Sequence, residues 1–433
     1  MSAARVEWRG DVFATDLDRA LGRIRRLPVI PRPFEHTLTV FLHPEEEEEL
    51  DLARVIRLRA YRTLESISGD AIAQVLEAGI AGKLQVKSTS GETRALGDVT
   101  LERQGRRFGV EGFPVRAGSV RVSQRVHYSF APGAVAPFDA AAEAMRVTVD
   151  SDRHLFRIDG QGCLEALGQL GPRVEIKAPA RETVERMRAN LDPERMMKRQ
   201  PNRSLELLFQ DMLRRRVVPA VHGFPEMELK FDLFGGFDVD LIEKCLAALG
   251  DIRLLLPRPF GVERMRRYHL CHDAVEGDEC TIVETASGRL SLKRKRHARR
   301  LGDVLLRDTS ACRTTDRTGD LTSVAAFLAR QKLVRLGSFE KHQTKIPFAR
   351  PSGRAFLISF DHCFQLGGPV LDQVELEYIG AVAAETCSPA DVAADLERLG
   401  KRLCRGALGS RLAGSSASKY GFFSGQAPSL RAS

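Results

Sequence analysis

The sequence is poor in the features that mark several large classes of protein. Its eight cysteines are scattered and no two stand in a CxxC spacing, so the tight ligand pairs of structural zinc are missing. The nearest approach is Cys271-His272-Asp273 followed by Cys280, which reads more simply as buried thiols in a reducing compartment. No apolar run is long enough to span a bilayer, and the N-terminal stretch MSAARVEWRGDVF has no apolar signal core. These absences predict a cytoplasmic protein, one that would need a separate membrane partner to export any product. Aromatic residues make up only 6% of the chain, too few for the stacking platforms of single-strand binders, which disfavours nucleic acid as the partner. There is no GxGxxG turn, no Walker loop and no Ser-His-Asp arrangement.

What is present is charge, ordered along a repeated pattern. The 433 residues suffice for two or three domains, and the formal net charge of +9 favours anionic partners without naming one. GKLQVKSTSGETRALGDV from Gly82 aligns with GRLSLKRKRHARRLGDV from Gly288 across a single gap. Downstream, RVEIKAP from Arg173 matches QVELEYIG from Gln373, and upstream FEHTLTVFL from Phe34 weakly echoes PEMELKFDL from Pro225. Three pairs in the same order predict a duplicated domain. LGDV, common to both copies, reads as a turn.

Alternation gives each repeated strand one charged and one apolar face. Glu226, Glu228 and Lys230 oppose Met227, Leu229 and Phe231; Arg57 and Arg59 oppose Ile56 and Leu58; Lys83, Gln85 and Lys87 oppose Leu84 and Val86. Arg146 stands with Thr148, Asp150 and Asp152, Glu175 with Lys177, Arg289 with Lys293 and Lys295, and Glu375 with Glu377. For a single strand the simplest reading is the wet side of an antiparallel sheet. If the sheets close into barrels, the same faces would line the interior. A lining rich in Arg and Lys would be self-repelling unless a polyanion filled it. Carboxylates among them would suit a hard divalent cation such as Mg²⁺ or Mn²⁺.

Together these strands resemble the CYTH superfamily of triphosphate tunnel metalloenzymes, whose first strand is written ExExK and is matched by Glu226, Glu228 and Lys230. RRYHLCHD, with Asp273, looks like its next strand, and GRLSLKRK like its phosphate-gripping strand. GRAFLISFDHCFQL and QVELEYIG look like its closing pair, with Arg354, Asp361, Glu375 and Glu377. The first half is closer to VTC-type polyphosphate polymerases. IRLRAYR is similar to their paired-arginine strand, MRVTVDSD to their Arg-Val-Thr-x-Asp element and VEIK to their metal-carboxylate strand. It departs from the pattern at Gln85, where an acid is expected, and at EHTLTV, which lacks the second Glu and the Lys.

The resemblance implies an α+β chain of two tandem antiparallel β-barrel (tunnel) domains with flanking helices. They would occupy residues 1–180 and 222–410, with a helical connector over 181–221 and a disordered tail over 411–433. It implies that Arg57, Arg59, Lys87, Arg146, Lys177, Lys230, Lys293, Lys295 and Arg354 hold phosphate oxygens. Glu175, Glu226, Glu228, Glu375 and Glu377 would hold Mg²⁺ or Mn²⁺. The implied activity is phosphoryl transfer on phosphoanhydrides, foremost a VTC-like polyphosphate polymerase using ATP. The alternatives are a CYTH-type triphosphatase and a non-catalytic polyphosphate-binding protein.

Overall fold

The computed structural model describes residues 6–32, 35–45, 54–88, 93–130, 145–192, 204–220, 224–256, 262–273, 279–313, 324–383, 387–405 and 408–425. The chain divides into two compact units, Met1–Leu208 with Ala286–Gly288, and Phe209–Thr285 with Arg289–Ser433. Each is built on one antiparallel sheet carrying helices on its outer face, an α+β architecture.

The strands of the first unit are β1 (Val6–Asp11), β2 (Val29–Pro31), β3 (Glu35–Pro44), β4 (Arg54–Arg62), β5 (Ile80–Ser88) and β6 (Thr93–Gln104). They continue as β7 (Arg107–Val110), β8 (Phe113–Phe130), β9 (Arg146–Ile158), β10 (Leu164–Leu170) and β11 (Arg173–Ala178). Its helices are α1 (Leu17–Arg25), α2 (Gly69–Glu77) and α3 (Arg181–Leu191). Helix α4 (Ser204–Arg216) spans the boundary between the units.

The second unit contains β12 (Glu226–Leu233), α5 (Val239–Leu249), β13 (Arg253–Leu254), β14 (Val262–Asp273), β15 (Glu279–Thr285), β16 (Leu290–Leu301) and β17 (Val304–Arg313). After these come α6 (Val324–Arg330), β18 (Leu333–Ala349), β19 (Arg354–Phe364), β20 (Val370–Ala381), α7 (Pro389–Leu403), β21 (Leu412–Gly414) and α8 (Lys419–Ser424). No helix among the described residues is long and apolar enough to cross a membrane.

In the second unit the strand order is β18-β14-β15-β16-β17-β12-β20-β19, and β19 pairs back onto β18. Eight strands therefore close a ring, which removes the exposed sheet edge. Period-2 alternation then divides each strand into wall-out and wall-in residues. Met227, Leu229 and Phe231 of β12 join Phe356, Ile358 and Phe360 of β19 and Val374 and Leu376 of β20 in one buried cluster. Leu241 of α5 and Val392, Leu396 and Leu399 of α7 cover it from outside. Both helices are well started. Asp238 accepts from the Leu241 amide at 2.5 Å, and Ser388 and Asp391 form a reciprocal capping box ahead of Pro389.

The first unit repeats this order. The path β1-β11-β9-β8-β3-β4-β5-β6 runs strand for strand as β12-β20-β19-β18-β14-β15-β16-β17 does. Short β2 on β8 matches β13 on β18. Residues of α1 and α3 (Ala20, Ile24, Val184, Met187) cover Val147, Val174 and Ile176 as α5 and α7 cover theirs. One pairing differs: β6 is joined to β8 through β7 rather than to the first strand.

Several sequence expectations change here. The counterpart of the Glu226 strand is β1, not FEHTLTVFL, which forms β3 and occupies the place of β14. LGDV is a turn only in the second copy, around Gly302 (φ +61°). In the first it lies within β6, where Gly97 (φ +135°) sits at a register shift. Helix α3 is part of the first unit's core rather than of a free connector. The tail expected to be disordered forms β21, paired to β12, and α8, whose Tyr420 and Phe423 are buried.

Candidate active site

Closure of the second ring turns the charged faces inward. Register pairs Glu228 with Glu377 and Lys230 with Glu375 between β12 and β20, and Glu226 with Arg307 between β12 and β17. Across β18 and β19, Gln343 stands opposite Asp361. Glu228, Lys230, Arg307, Lys341, Asp361 and Glu375 are all buried.

The interior has two electrostatic zones. In the first, Lys230 Nζ lies 2.7 Å from Glu375 Oε1, and Lys419 Nζ of α8 reaches the same oxygen at 2.5 Å. Lys419 also lies 2.9 Å, and Lys341 3.1 Å, from Asp361 Oδ2, while Gln343 donates to Asp361 Oδ1 at 2.6 Å. Burial opposes ionisation of Glu375, but Lys230, Lys419 and Lys341 outweigh it and hold its pKa well below the usual carboxylate range. Glu375 is thus the anion of a buried lysine cluster. The second zone holds Glu226, Glu228 and Glu377. Lys293 Nζ is 3.0 Å from Glu226, Lys230 is 3.2 Å from Glu228, and Arg307 is 3.7 Å from Glu228. Burial pushes the pKa of Glu377 up; Lys345 and Lys293 oppose the rise, whereas Glu226 and Glu228 add to it.

Repulsion among oxygen donors is what a hard divalent cation relieves, so the chemistry of Glu226, Glu228 and Glu377 fits Mg²⁺ or Mn²⁺. Among the described residues, no three acidic, histidine or cysteine side chains converge at chelating distance. A metal would draw these carboxylates from Lys293 and Lys230.

Other expected site residues fall elsewhere. Arg354 does not face the interior. It shares the outward parity of Phe356 and Ile358, and its Nε lies 2.8 Å from Asp395 of α7. Arg354→Ala is expected to cost about 1–3 kcal/mol of stability by removing the nearer of the two cations beside buried Asp395, the other being Arg398. It should leave any activity of the barrel within threefold, as thermal unfolding and rate measurements would show. Asp273 likewise lies outside the site, paired with Arg294 at 3.2 Å. Cys271 and Cys280 are cross-strand neighbours, both buried and neither in a disulfide. Lys295 and Lys87 occupy β16 and β5, but their side chains lie outside the described residues.

In the first unit the same positions carry different charges. Arg9 pairs in register with Glu175 and Glu7 with Lys177, as Lys230 does with Glu375 and Glu228 with Glu377. A lysine therefore stands where the second unit has its third acid. Glu175, expected to hold a metal, is 2.7 Å from Arg9 Nε and 2.6 Å from Lys177 Nζ. Burial works against its ionisation, but these two cations lower its pKa. Arg57 donates to Gln85 Oε1 at 3.0 and 3.2 Å. Arg59 lies over the Tyr61 ring, and Arg146 is exposed at the start of β9.

Sequence reasoning missed Arg121, Arg125, Arg153 and Arg173. Arg125 holds Asp150 through two contacts of 2.5 and 2.7 Å, and Arg173 holds Asp11 at 2.8 Å. Burial, then Arg153 and Arg173, push Arg121 far below its usual value. Arg57 feels Arg9, Glu7 and Glu175 although β9, β8 and β3 separate the strands, so the sheet curls with its charged face inward. The missed signal was alternation in VEWRGD and VRVSQRVHY, which sets Glu7, Arg9 and Asp11 on one face of β1, and Arg121 and Arg125 on one face of β8.

No protein-family profile matches the sequence, and no curated protein sequence matches it. Solved structures do align. HpAC1 from Hippeastrum, described as having a dominant triphosphatase activity, aligns over 48% of this chain and 99% of its own, at 18% identity and a TM-score of 0.30. The PH1819 protein from Pyrococcus horikoshii aligns over 43% and 93%, at 14% identity and a TM-score of 0.28. The Mimivirus capping enzyme triphosphatase aligns over 47% and 98%, at 8% identity and a TM-score of 0.26.

Proposed function

We propose that the second unit is a metal-dependent triphosphate hydrolase and that the first is a non-hydrolytic polyanion-binding unit. The observation that carries the reading is the closed eight-stranded ring with Glu226, Glu228 and Glu377 on one part of its inner wall, Lys230, Lys293 and Arg307 near them, and Lys341 beside Asp361. A buried lining of this kind calls for an anion that satisfies the cations, beside a cation that satisfies the acids.

In the reaction, a water oxygen forms a bond to the terminal phosphorus while a phosphoanhydride P–O bond breaks, and the proton that the water loses ends on the departing phosphate oxygen. Orthophosphate and the shortened phosphate are the products. Lys293, Lys345 and Arg307 hold non-bridging oxygens by charge-assisted hydrogen bonds, and the wall excludes bulk water. Glu226, Glu228 and Glu377 would hold Mg²⁺ or Mn²⁺, which would supply polarisation of a phosphoryl oxygen.

Hydrolysis is favoured over polymerisation because the acids cluster in the second unit, whereas in the first Glu175 is neutralised by Arg9 and Lys177. The surplus of arginine around Arg121 supports binding there, with inorganic polyphosphate or a triphosphate as the anion. A panel of ATP, inorganic triphosphate and thiamine triphosphate with each metal, scored for phosphate and for polymer, tests the assignment. Phosphate without polymer is expected; polymer from ATP, or no phosphate from any substrate, overturns it. Polyphosphate binding should persist in Glu226→Gln and weaken at least tenfold in Arg57→Ala, read by titration at fixed salt.

A further inference from the structure

We propose that the C-terminal segment Ser415–Ser424 is a stopper that makes the second barrel single-mouthed, so that a phosphate chain enters it only end-on. This rests on the hydrolase reading above and specifies its substrate geometry.

The inner wall changes character toward one end. Past Lys341, Asp361 and Gln373, the residues of the same inward parity are Phe339, Cys363 and Leu371, and on β14 Tyr268 and Leu270. Leu270, Phe339, Cys363 and Leu371 form an apolar cluster with Tyr420 and Phe423 of α8, and Tyr268 packs against it. Phe423 stacks on Phe339 with ring centroids 4.4 Å apart, and Phe339 stacks on Tyr268 at 5.0 Å. Tyr420 donates to the Cys271 carbonyl at 2.9 Å. Two aromatic side chains from outside the ring therefore fill its interior at that end.

Lys419 extends further, placing its ammonium 2.9 Å from Asp361 and 2.5 Å from Glu375. The lysine occupies the boundary between the apolar end and the polar interior. The segment leading to it is also tied down. The Ser415 amide donates to the Lys230 carbonyl at 2.9 Å, and Gln373 Nε2 donates to Ser415 Oγ at 3.4 Å. A six-residue helix has no independent stability, so α8 persists through these contacts alone. With this end filled, a linear polyphosphate cannot thread through the ring. Its terminal phosphates enter from the open mouth, and cleavage releases orthophosphate from chain ends without internal cuts.

Cys363 reports on the stopper independently of activity. It is fully buried on the inner wall, and burial pushes its thiol up to about 12. The experiment follows labelling of Cys363 by a charged methanethiosulfonate reagent, mapped by mass spectrometry, in the full-length protein. Buried Cys245, on the core-facing side of α5, serves as the fold control. Tyr420→Ala/Phe423→Ala is expected to speed Cys363 labelling at least tenfold with Cys245 unchanged. If Cys245 also becomes reactive, the milder Lys419→Met decides, with at least a threefold increase at Cys363 expected. Rapid labelling of Cys363 in the wild type, or no increase in the deciding variant, overturns the stopper. In parallel, gel analysis of long-chain polyphosphate digested by the wild type should show orthophosphate and chains shortened gradually from the starting length, with no mid-length fragments early in the digest. Internal fragments overturn end-on entry. No hydrolysis of any substrate defeats the hydrolase reading and leaves the thiol result to decide the stopper.

Discussion

Glu377→Gln is expected to lower phosphate release from triphosphate on the order of 100-fold or more, mainly in kcat, and to raise the metal concentration needed for half-maximal rate. The expectation follows from the register: Glu377 stands opposite Glu228, and its carboxyl is raised by burial and by the acids beside it. A carboxyl held up in this way must lose its proton before it can hold a cation, so metal affinity should increase as pH rises above the ordinary carboxylate range. Glu375→Gln, two residues away, should behave differently. Glu375 is claimed by Lys230 and Lys419, so its removal leaves two buried ammoniums short of an anion. That variant should lose on the order of 3–5 kcal/mol of stability without a shift in metal requirement. Metal titrations of the rate and chemical denaturation of both variants check the contrast. Equal metal dependence in the two would count against the assignment of the three acids.

The second large effect belongs to Asp150 of the first unit. Burial alone would raise its pKa, but the Arg125 guanidinium, with its two hydrogen bonds, outweighs burial and lowers it from the ordinary aspartate value to about 2. Because the folded-state pKa is depressed, the pair's stabilisation is present above the unfolded pKa and is lost as pH falls through about 2. The shift corresponds to about 2 kcal/mol at neutral pH. Asp150→Asn leaves Arg125 buried without its counter-charge and should cost on the order of 3–5 kcal/mol. Acid unfolding monitored by circular dichroism should then begin at a higher pH than in the wild type. An unchanged acid midpoint would contradict the role given to the pair.

Much of this arrangement was legible in the order of residues, and the exceptions have physical causes. EMELKFDL was readable because its charges and apolar residues alternate without interruption and Met227, Leu229 and Phe231 all pack under helices. The same rule, applied strictly, separates Arg354 from Asp361: one position is even-numbered and the other odd, so on an alternating strand their side chains lie on opposite faces. Glu375 carries the right residue type on the right face, yet its partner Lys419 comes from AGSSASKYGFF, whose composition gives no hint of burial. The first strand was missed because β1 is short and offers only Glu7, Arg9 and Asp11. Its equivalence to β12 rests on pairing with β11, which a linear sequence does not display. The arginines of β8 and β9 were passed over for the same reason, since their meaning lies in cross-strand contact with Asp150 and Asp11.

The closure of the second ring has a kinetic consequence. Strand β12 is the first of its barrel to be synthesised, yet its neighbours are β17 and β20, and Lys230 meets Glu375 across 145 positions of chain. One side of β12 waits for β17 and the other for β20, the last strand of the ring. Folding should therefore be slow and dominated by long-range pairing. Until β20 arrives, β12 presents an unpaired edge and an apolar face, the surfaces through which nascent chains aggregate.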